Sequence, residues 1–158
     1  MAKNTITRQS IVEHLGRCGP DTRIYLGCDS RRFREKGKWM ADYTLVIVIH
    51  EDGCKGAKIL GHTVREPLYD NSPDKPAFRL MNEVYKIAAL WLEFGDLFAG
   101  YQTEVHLDLN PNKRFKSSGV VSEAIGYIRG VCQIEAKLKP DAWAASFAAD
   151  RYLSLKAA

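Results

Sequence analysis

The chain has 158 residues, a length typical of one domain with its own core. Hydrophobic residues make up 46% and charged residues 27%, which are globular proportions and exclude a disordered or fibrous chain. No apolar run reaches the ~20 residues of a membrane span, and the N-terminus lacks the apolar segment of a signal peptide. The four cysteines are scattered, so we expect a cytoplasmic protein with reduced thiols.

The net charge of +4 comes from one short segment, residues 31–38. This segment, RRFREKGK, holds five basic residues and one acid, and the rest of the chain balances to zero. Basic side chains supply most of the affinity of proteins for nucleic acid, so a phosphate-contacting loop is one interpretation. On charge alone, a solvated turn between strands is an equally good one. Phe33, inside the segment, is placed to stack on a base.

The first half of the chain predicts one helix and three strands. Three apolar residues on one face indicate a short helix over about residues 7–17. Three apolar runs separated by turn residues predict an antiparallel meander, with strands at residues 24–29, 41–50 and 57–65. The prolines that follow predict a loop over residues 66–76.

The second half alternates between helical and strand patterns. Apolar residues three and four apart predict a helix over residues 77–94, and strict alternation predicts a strand over residues 103–109. Ser117 or Ser118 is expected to cap the next helix, which we expect to stop at Gly130. The remaining elements are a short strand and a last helix, at residues 133–138 and 141–155.

This order of elements predicts an α/β fold. A three-stranded meander followed by two strands in right-handed crossovers gives a mixed five-stranded sheet flanked by helices. The first and fourth strands are then parallel neighbours, and their carboxyl ends form the crevice where such sheets bind ligands. We expect one domain over residues 1–158, in which the N-terminal helix precedes a core at about 22–155.

Four acids break the pattern of the element that carries them. Asp29 ends an apolar strand, and Asp108 lies on the less apolar face of the fourth strand. Glu83 borders the apolar stripe of its helix, and Asp150 lies on the aromatic side of the last helix. Each alone is explained by a turn or a boundary position. Together they are costly beside a core unless they are paired or bind a divalent cation.

The segments that carry these acids resemble the ribonuclease H superfamily, most closely the YkuK-like family of uncharacterised ribonuclease H-like proteins. The resemblance spans about residues 22–155 and rests on the segments IYLGCDSRRF, LMNEVYKIA, HLDLNPNKRFKSSGVVSEAIGYI and KPDAWAASFAADRYL. It implies a ribonuclease H-like fold and a site for two Mg²⁺ or Mn²⁺ ions. The catalytic and metal-binding residues that it implies are Asp29, Glu83, Asp108 and Asp150. Rival assignments on the same two helices are Glu93 and Asp141.

The resemblance further implies hydrolysis of phosphodiester bonds in RNA, an RNA–DNA hybrid or structured DNA, with the metal ions activating water and stabilising the leaving oxygen. Contacts with nucleic acid are expected from the basic segment and from the loop before the third helix. These residues are Arg31, Arg32, Phe33, Arg34, Lys36, Lys113, Arg114, Lys116, Ser117 and Ser118. The main alternative is a non-catalytic module that binds nucleic acid or protein. A third interpretation is one lobe of an actin-like ATPase.

The histidines and large aromatics carry weaker signals. His106 shares a strand face with Asp108, and either assists proton transfer or fills a polar gap in the sheet. No histidine has the spacing of a zinc ligand. Trp91, Trp143 and Phe147 fall at helical spacing and are expected in the core.

Overall fold

Five strands form one mixed sheet in the order β3-β2-β1-β4-β5, in which β1 to β3 are antiparallel and β1, β4 and β5 are parallel. The computed structural model describes residues 4–53, 55–69, 77–112 and 114–157. Its helices and strands, in chain order, are α1 (Arg8–Leu15), β1 (Arg23–Glu35), β2 (Lys38–His50), β3 (Ala57–Pro67), α2 (Ala77–Phe94), β4 (Gln102–His106), α3 (Val121–Cys132), β5 (Ala136–Lys137) and α4 (Ala149–Ala157). The sheet is the one that the element order predicts.

Strands β1 and β2 form a long hairpin that includes the basic segment. Strand β1 was expected to end at Asp29, but its pairing with β2 continues to Glu35. The turn is made by Lys36 and Gly37, whose φ angles of 50° and 77° are those of a two-residue hairpin turn with both φ positive. The basic residues therefore lie on a two-stranded arm, and the expectation of a loop was wrong.

The sheet is covered on both faces. On one face the inward residues of β1, β2 and β4 pack with α1, α2 and α3 in a large apolar cluster. On the other face the residues of opposite parity, such as Tyr25 and Val48, pack against alanines of the last helical segment and against Tyr152. This alternation follows from strand geometry, since successive side chains point to opposite faces.

The last helix lies very close to the sheet. It begins as a π-helical turn, Ala144–Ala148, and continues as α4. A Cβ atom on Gly27 of β1 would lie 2.8 Å from the carbonyl carbon of Ala144. A Cβ atom on Gly61 of β3 would lie 2.5 Å from the ring of Tyr152. The missing side chains of these two glycines leave the space that the last helical segment occupies.

Several boundaries differ from their expected positions. Helix α3 runs past Gly130 to Cys132 and ends at Gln133, whose φ of 58° is left-handed. It is preceded by a 3₁₀ turn, and its first residue follows Val120 with no side-chain cap, so the expected serine cap is wrong. Strand β4 stops at His106, although Leu107 still donates its N–H to the carbonyl of Lys137 at 2.9 Å.

The helices and cysteines of the described residues bear on the expectations about membrane spans and thiols. None of the described helices combines the length and the apolarity needed to cross a membrane. Cys18, Cys28 and Cys132 are free thiols, and Cys54 lies outside the described residues.

Candidate metal centre

Two parallel strands and one helix bring three carboxylates together. In the pairing of β1 with β4, Gly27 lies opposite His106. Asp29 and Asp108 each come two residues later, so they lie at the same level along the two neighbouring chain segments. Glu83 reaches them from α2, and one carboxylate oxygen of each acid lies within 4.8 Å of the other two. The sequence predicted that these three residues converge, and the structure brings them together.

Burial and mutual repulsion oppose the ionised forms of this cluster. The side chain of Glu83 is only 3% exposed, and its burial, reinforced by the charges of Asp108 and Asp29, raises its pKa well above the usual range. Burial also raises the pKa of Asp29 to about 7, with a further contribution from the charge of Asp108 and a hydrogen bond to it. A divalent cation would relieve this repulsion by favouring the ionised carboxylates.

Glu83 is held in place by a chain of donors. The Ser30 hydroxyl donates to Glu83 Oε1 at 2.5 Å, and Arg79 Nη1 donates to Ser30 Oγ at 2.6 Å. Arg79 Nη1 also donates to the Ser30 carbonyl at 3.2 Å and lies 3.9 Å from Glu83 Oε1. Because the hydroxyl proton points at Glu83, the arrangement favours a carboxylate there and partly offsets its burial.

A lysine supplies positive charge on the other side of the cluster. Lys139 Nζ lies 2.6 Å from Asp108 Oδ1. The two groups form an ion pair, but their relative orientation is not that of a hydrogen bond. The Lys139 side chain is 45% exposed and that of Asp108 16%. Ser30, Arg79 and Lys139 were not predicted. Arg79 precedes Glu83 by four residues, a helical neighbour spacing that was the available signal.

Asp150 is placed differently from the other three acids. It is exposed in the first turn of α4, outside the group of three, yet its charge contributes to the raised pKa of Asp29. The rival residues are both exposed. The backbone carbonyl of Glu93 accepts a hydrogen bond from Arg8, and Asp141 precedes the last helix. Neither belongs to the group of three carboxylates.

The three carboxylates fit a hard divalent cation. Oxygen ligands of Mg²⁺ lie ~2.1 Å from the ion, so pairs of them are ~3 to ~4.2 Å apart, within the 4.8 Å limit of this cluster. Carboxylate oxygens are the ligands that Mg²⁺, Ca²⁺ and Mn²⁺ prefer. Two cationic side chains already lie beside the cluster, which shows that positive charge is accommodated there.

A family model described as Ribonuclease H-like matches residues 9–154, nearly the whole chain. The chain belongs to the ribonuclease H-like family. The resemblance seen in its sequence is thereby confirmed, as is the expected mixed sheet. Comparison with curated proteins and with solved structures gave no significant match.

His106 of this ribonuclease H-like chain fills a gap in the interior. It is 1% exposed, and its Nδ1 accepts the N–H of Ala144 at 3.1 Å. The ring lies 5.2 Å from that of Tyr25 and 5.5 Å from that of Trp143. Burial lowers its pKa, so the ring is neutral with its proton on Nε2, 3.5 Å from Glu104 Oε1. The structure thus supports the gap-filling interpretation.

The large aromatics do not all join the core as expected. Trp91 is partly buried against the main apolar cluster. Trp143 is 37% exposed and packs its edge on Tyr25, with ring centroids 4.7 Å apart. Phe147 is 74% exposed, so its assignment to the core was wrong. Phe147 lies in the π-helical turn, whose side-chain spacing differs from that of the α-helix on which the expectation was based.

The predicted nucleic-acid residues lie on the hairpin arm and in the loop before α3. On the arm, Arg32 and Arg34 lie over the ring of Trp39, and Arg65 lies over Phe33. In the loop, Arg114 lies over the ring of its neighbour Phe115 at 4.9 Å. The structure does not describe the position of Lys113 or the side chains of Lys116 and Ser117. The remaining ones are partly or fully exposed, namely Arg31, Lys36 and Ser118.

Proposed function

We propose that the chain is a divalent-metal-dependent nuclease that hydrolyses phosphodiester bonds in RNA, an RNA–DNA hybrid or structured DNA. The observation that carries the proposal is the convergence of Asp29, Glu83 and Asp108, whose oxygens lie within 4.8 Å of one another. Membership of the ribonuclease H-like family supports the same chemistry. The substrate is a polyanion, which suits the excess of positive charge in residues 31–38.

In this proposal Asp29, Glu83 and Asp108 hold Mg²⁺ or Mn²⁺, and Asp150 adds a fourth carboxylate from α4. Bound ions of this kind supply Lewis-acid stabilisation of developing negative charge and lower the pKa of a bound water. Ser30 and Arg79 hold the Glu83 carboxylate in one orientation, through the hydrogen bonds of 2.5 and 2.6 Å. Lys139 balances part of the negative charge at Asp108.

The substrate contacts in this proposal come from two segments of the chain. The hairpin arm contributes Arg31, Arg32, Phe33, Arg34 and Lys36, and the loop before α3 contributes Lys113, Arg114, Lys116, Ser117 and Ser118. Basic side chains give affinity for phosphates without regard to sequence. We therefore expect the protein to select its substrate by backbone and shape.

The test is cleavage of end-labelled RNA, hybrid duplex, DNA duplex and branched DNA with Mg²⁺, Mn²⁺ or chelator. We expect cleavage with Mg²⁺ or Mn²⁺ and loss of at least 10²-fold in rate for Asp108→Asn with the fold intact. Glu93→Gln and Asp141→Asn are matched controls, because both change an exposed carboxylate outside the cluster. Cleavage that survives Asp108→Asn, or that needs no divalent ion, would contradict the proposal.

One observation favours the second candidate, a binding module without catalysis. Lys139 already places a cation 2.6 Å from Asp108, so part of the acidic cluster is neutralised by the chain itself. Such a module would bind nucleic acid or protein through the same surfaces but would show no divalent-dependent cleavage of any substrate. The cleavage experiment separates the two candidates.

A further inference from the structure

The hairpin arm beyond Asp29 has two faces of different chemistry. Side chains alternate between faces along a strand, and the pairing of Arg34 with Trp39 and of Arg31 with Asp42 shows which residues of β2 share each face. The face toward α2 holds Ser30, Arg32, Arg34, Trp39 and Ala41. The face toward α4 holds Arg31, Phe33, Glu35, Lys38, Met40 and Asp42. Both acids of residues 30–42 are therefore on the second face, along with one of the three arginines.

On the α4 side both carboxylates are paired with an arginine of the protein. Arg65, which pairs with Asp42 across β2 and β3, donates to both of its carboxylate oxygens at 2.7 and 3.0 Å. Arg65 also lies 3.4 Å from Glu35 and over the ring of Phe33 at 4.6 Å. The charge of Arg31 acts on Asp42 as well, because it helps to lower the pKa of that carboxyl. This face is an internal charge network.

On the α2 side two guanidinium groups share one aromatic ring. The Cζ atoms of Arg32 and Arg34 lie 5.1 and 5.3 Å from the centre of the Trp39 ring. Contact with an aromatic ring orients a guanidinium, and Arg34 also donates from Nη2 to the Gly37 carbonyl at 3.5 Å. The row continues along β1 to Ser30, where Arg79 binds beside Glu83. A line of arginines therefore leads from the acidic cluster along one face of the arm.

We propose that this Arg32–Trp39–Arg34 face binds the sugar–phosphate backbone of double-stranded nucleic acid, about five base pairs from the acidic cluster. The placement of the substrate rests on the proposed nuclease function. Arg34 is five strand residues from Asp29, ~17 Å at ~3.4 Å per residue, and a duplex rises ~3.4 Å per base pair. Both aromatic rings of the arm carry guanidinium groups, so the surface offers donors for phosphates in place of open rings for unstacked bases.

The first experiment measures the salt dependence of binding to a fluorescent duplex of about 20 base pairs, in chelator so that no cleavage occurs. Arg34→Gln should reduce the log–log slope by about 0.9, the value for one lost phosphate contact on B-form DNA. Arg65→Gln is the matched control, since it removes the same group from the α4 side of the sheet, where Asp42 already binds it, and it should leave the slope unchanged. Equal changes in both variants, or none in either, would overturn the proposal.

The second experiment tests the ring and the class of ligand. Trp39→Leu should weaken duplex binding. Circular dichroism and the melting temperature report whether this variant keeps its fold. If it does not, the salt dependence of Arg34→Gln alone tests the proposal. A single strand of equal length should bind more weakly and respond less to Arg34→Gln. The effect of Arg34→Gln should disappear as the duplex is shortened to about five base pairs. Single strands that bind as tightly and show the same loss in Arg34→Gln would overturn the assignment to a duplex.

These outcomes are independent of catalysis. If the slope and length results hold but no divalent ion supports cleavage, the nuclease proposal fails and the duplex-binding face stands. If cleavage depends on Asp108 but Arg34→Gln binds with an unchanged slope, the reverse is true.

Discussion

Replacing Asp29 with asparagine should stabilise the metal-free protein, and the gain should depend on pH. Burial and the charge of Asp108 raise the pKa of Asp29 from 3.8 to about 7. Between about pH 4 and 7 the folded chain therefore keeps a proton at Asp29 that the unfolded chain releases. The unfolded state binds fewer protons there, so this carboxyl lowers the stability of the folded state as the pH rises through that window.

The size of the effect follows from the shift. A change from 3.8 to about 7 corresponds to at most ~4 kcal/mol, at 1.36 kcal/mol per pKa unit. Because Asp29 and Asp108 share the repulsion, removing one charge should recover about half of this, roughly 2 kcal/mol. For a chain of this length that is an increase of ~4–8 °C in melting temperature. The difference should have a little over a third of its full size at pH 5 and be greatest at pH 8.

The assay is thermal unfolding in chelator at several pH values between 5 and 8, for wild type and Asp29→Asn. Asp141→Asn, which alters an exposed carboxylate outside the cluster, should follow the wild-type curve. If Asp29→Asn is less stable than wild type at pH 8, or if the two curves stay parallel, then the carboxylate is not in a repelling, buried environment. The electrostatic account of the cluster would then be wrong.

Three further changes test other parts of the structure. Mg²⁺ or Mn²⁺ at a hundredfold excess over Kd should stabilise the wild type by about 2.7 kcal/mol and raise its melting temperature by several degrees. Glu83→Gln should lose this rise, and Asp150→Asn should lose only part of it. An equal rise in Glu83→Gln would show that Glu83 does not bind the ion. Lys139→Met, which deletes the cation 2.6 Å from Asp108, should lower metal-free stability by about 1 kcal/mol and enlarge the increase in melting temperature that Mg²⁺ causes. A smaller increase would mean that Lys139 favours binding of the ion. Gly27→Ala should cost ~1–3 kcal/mol in denaturant unfolding because its Cβ meets the Ala144 backbone, whereas Gly126→Ala in α3, with open space around it, should be neutral or stabilising.

The positions of the main acids were predictable because each depended on a local pattern. An acid that follows an apolar run and a segment that alternates apolar and polar residues are visible in the sequence, and parallel neighbours place corresponding positions side by side. Asp29 and Asp108 met for that reason. Glu83 was identified by its place beside the apolar stripe of α2. Asp150 was harder, since a π-helical turn precedes α4 and changes the spacing on which its assignment relied.

The hairpin arm was missed because its turn uses an uncommon residue. Two-residue turns with both φ angles positive favour Asn-Gly or Asp-Gly, and here Lys36 precedes Gly37. The charged segment around them therefore suggested a loop, although the alternation of its residues was compatible with strands. A lysine in this conformation is tolerated because thirteen paired positions of β1 and β2 fix the register.

The supporting residues of the site depended on tertiary contacts. Ser30 and Arg79 meet only when α2 packs on β1, and Lys139 reaches Asp108 only when β5 lies beside β4. His106 is buried because a main-chain N–H from the last helical segment arrives over it. Such contacts join residues 31 to 49 positions apart along the chain, and no local pattern specifies them.

The last helical segment packs so closely on the sheet that main-chain atoms determine the distance between them. Long side chains can change rotamer to absorb a substitution, but an alanine backbone resting on a bare glycine has no such freedom. Enlarging a residue at this contact would tilt the segment as a rigid rod, and Asp150, carried just beyond it, would swing away from Asp29. The distance between Asp150 and the other three acids is therefore adjustable by single methyl groups on the sheet beneath the last helical segment.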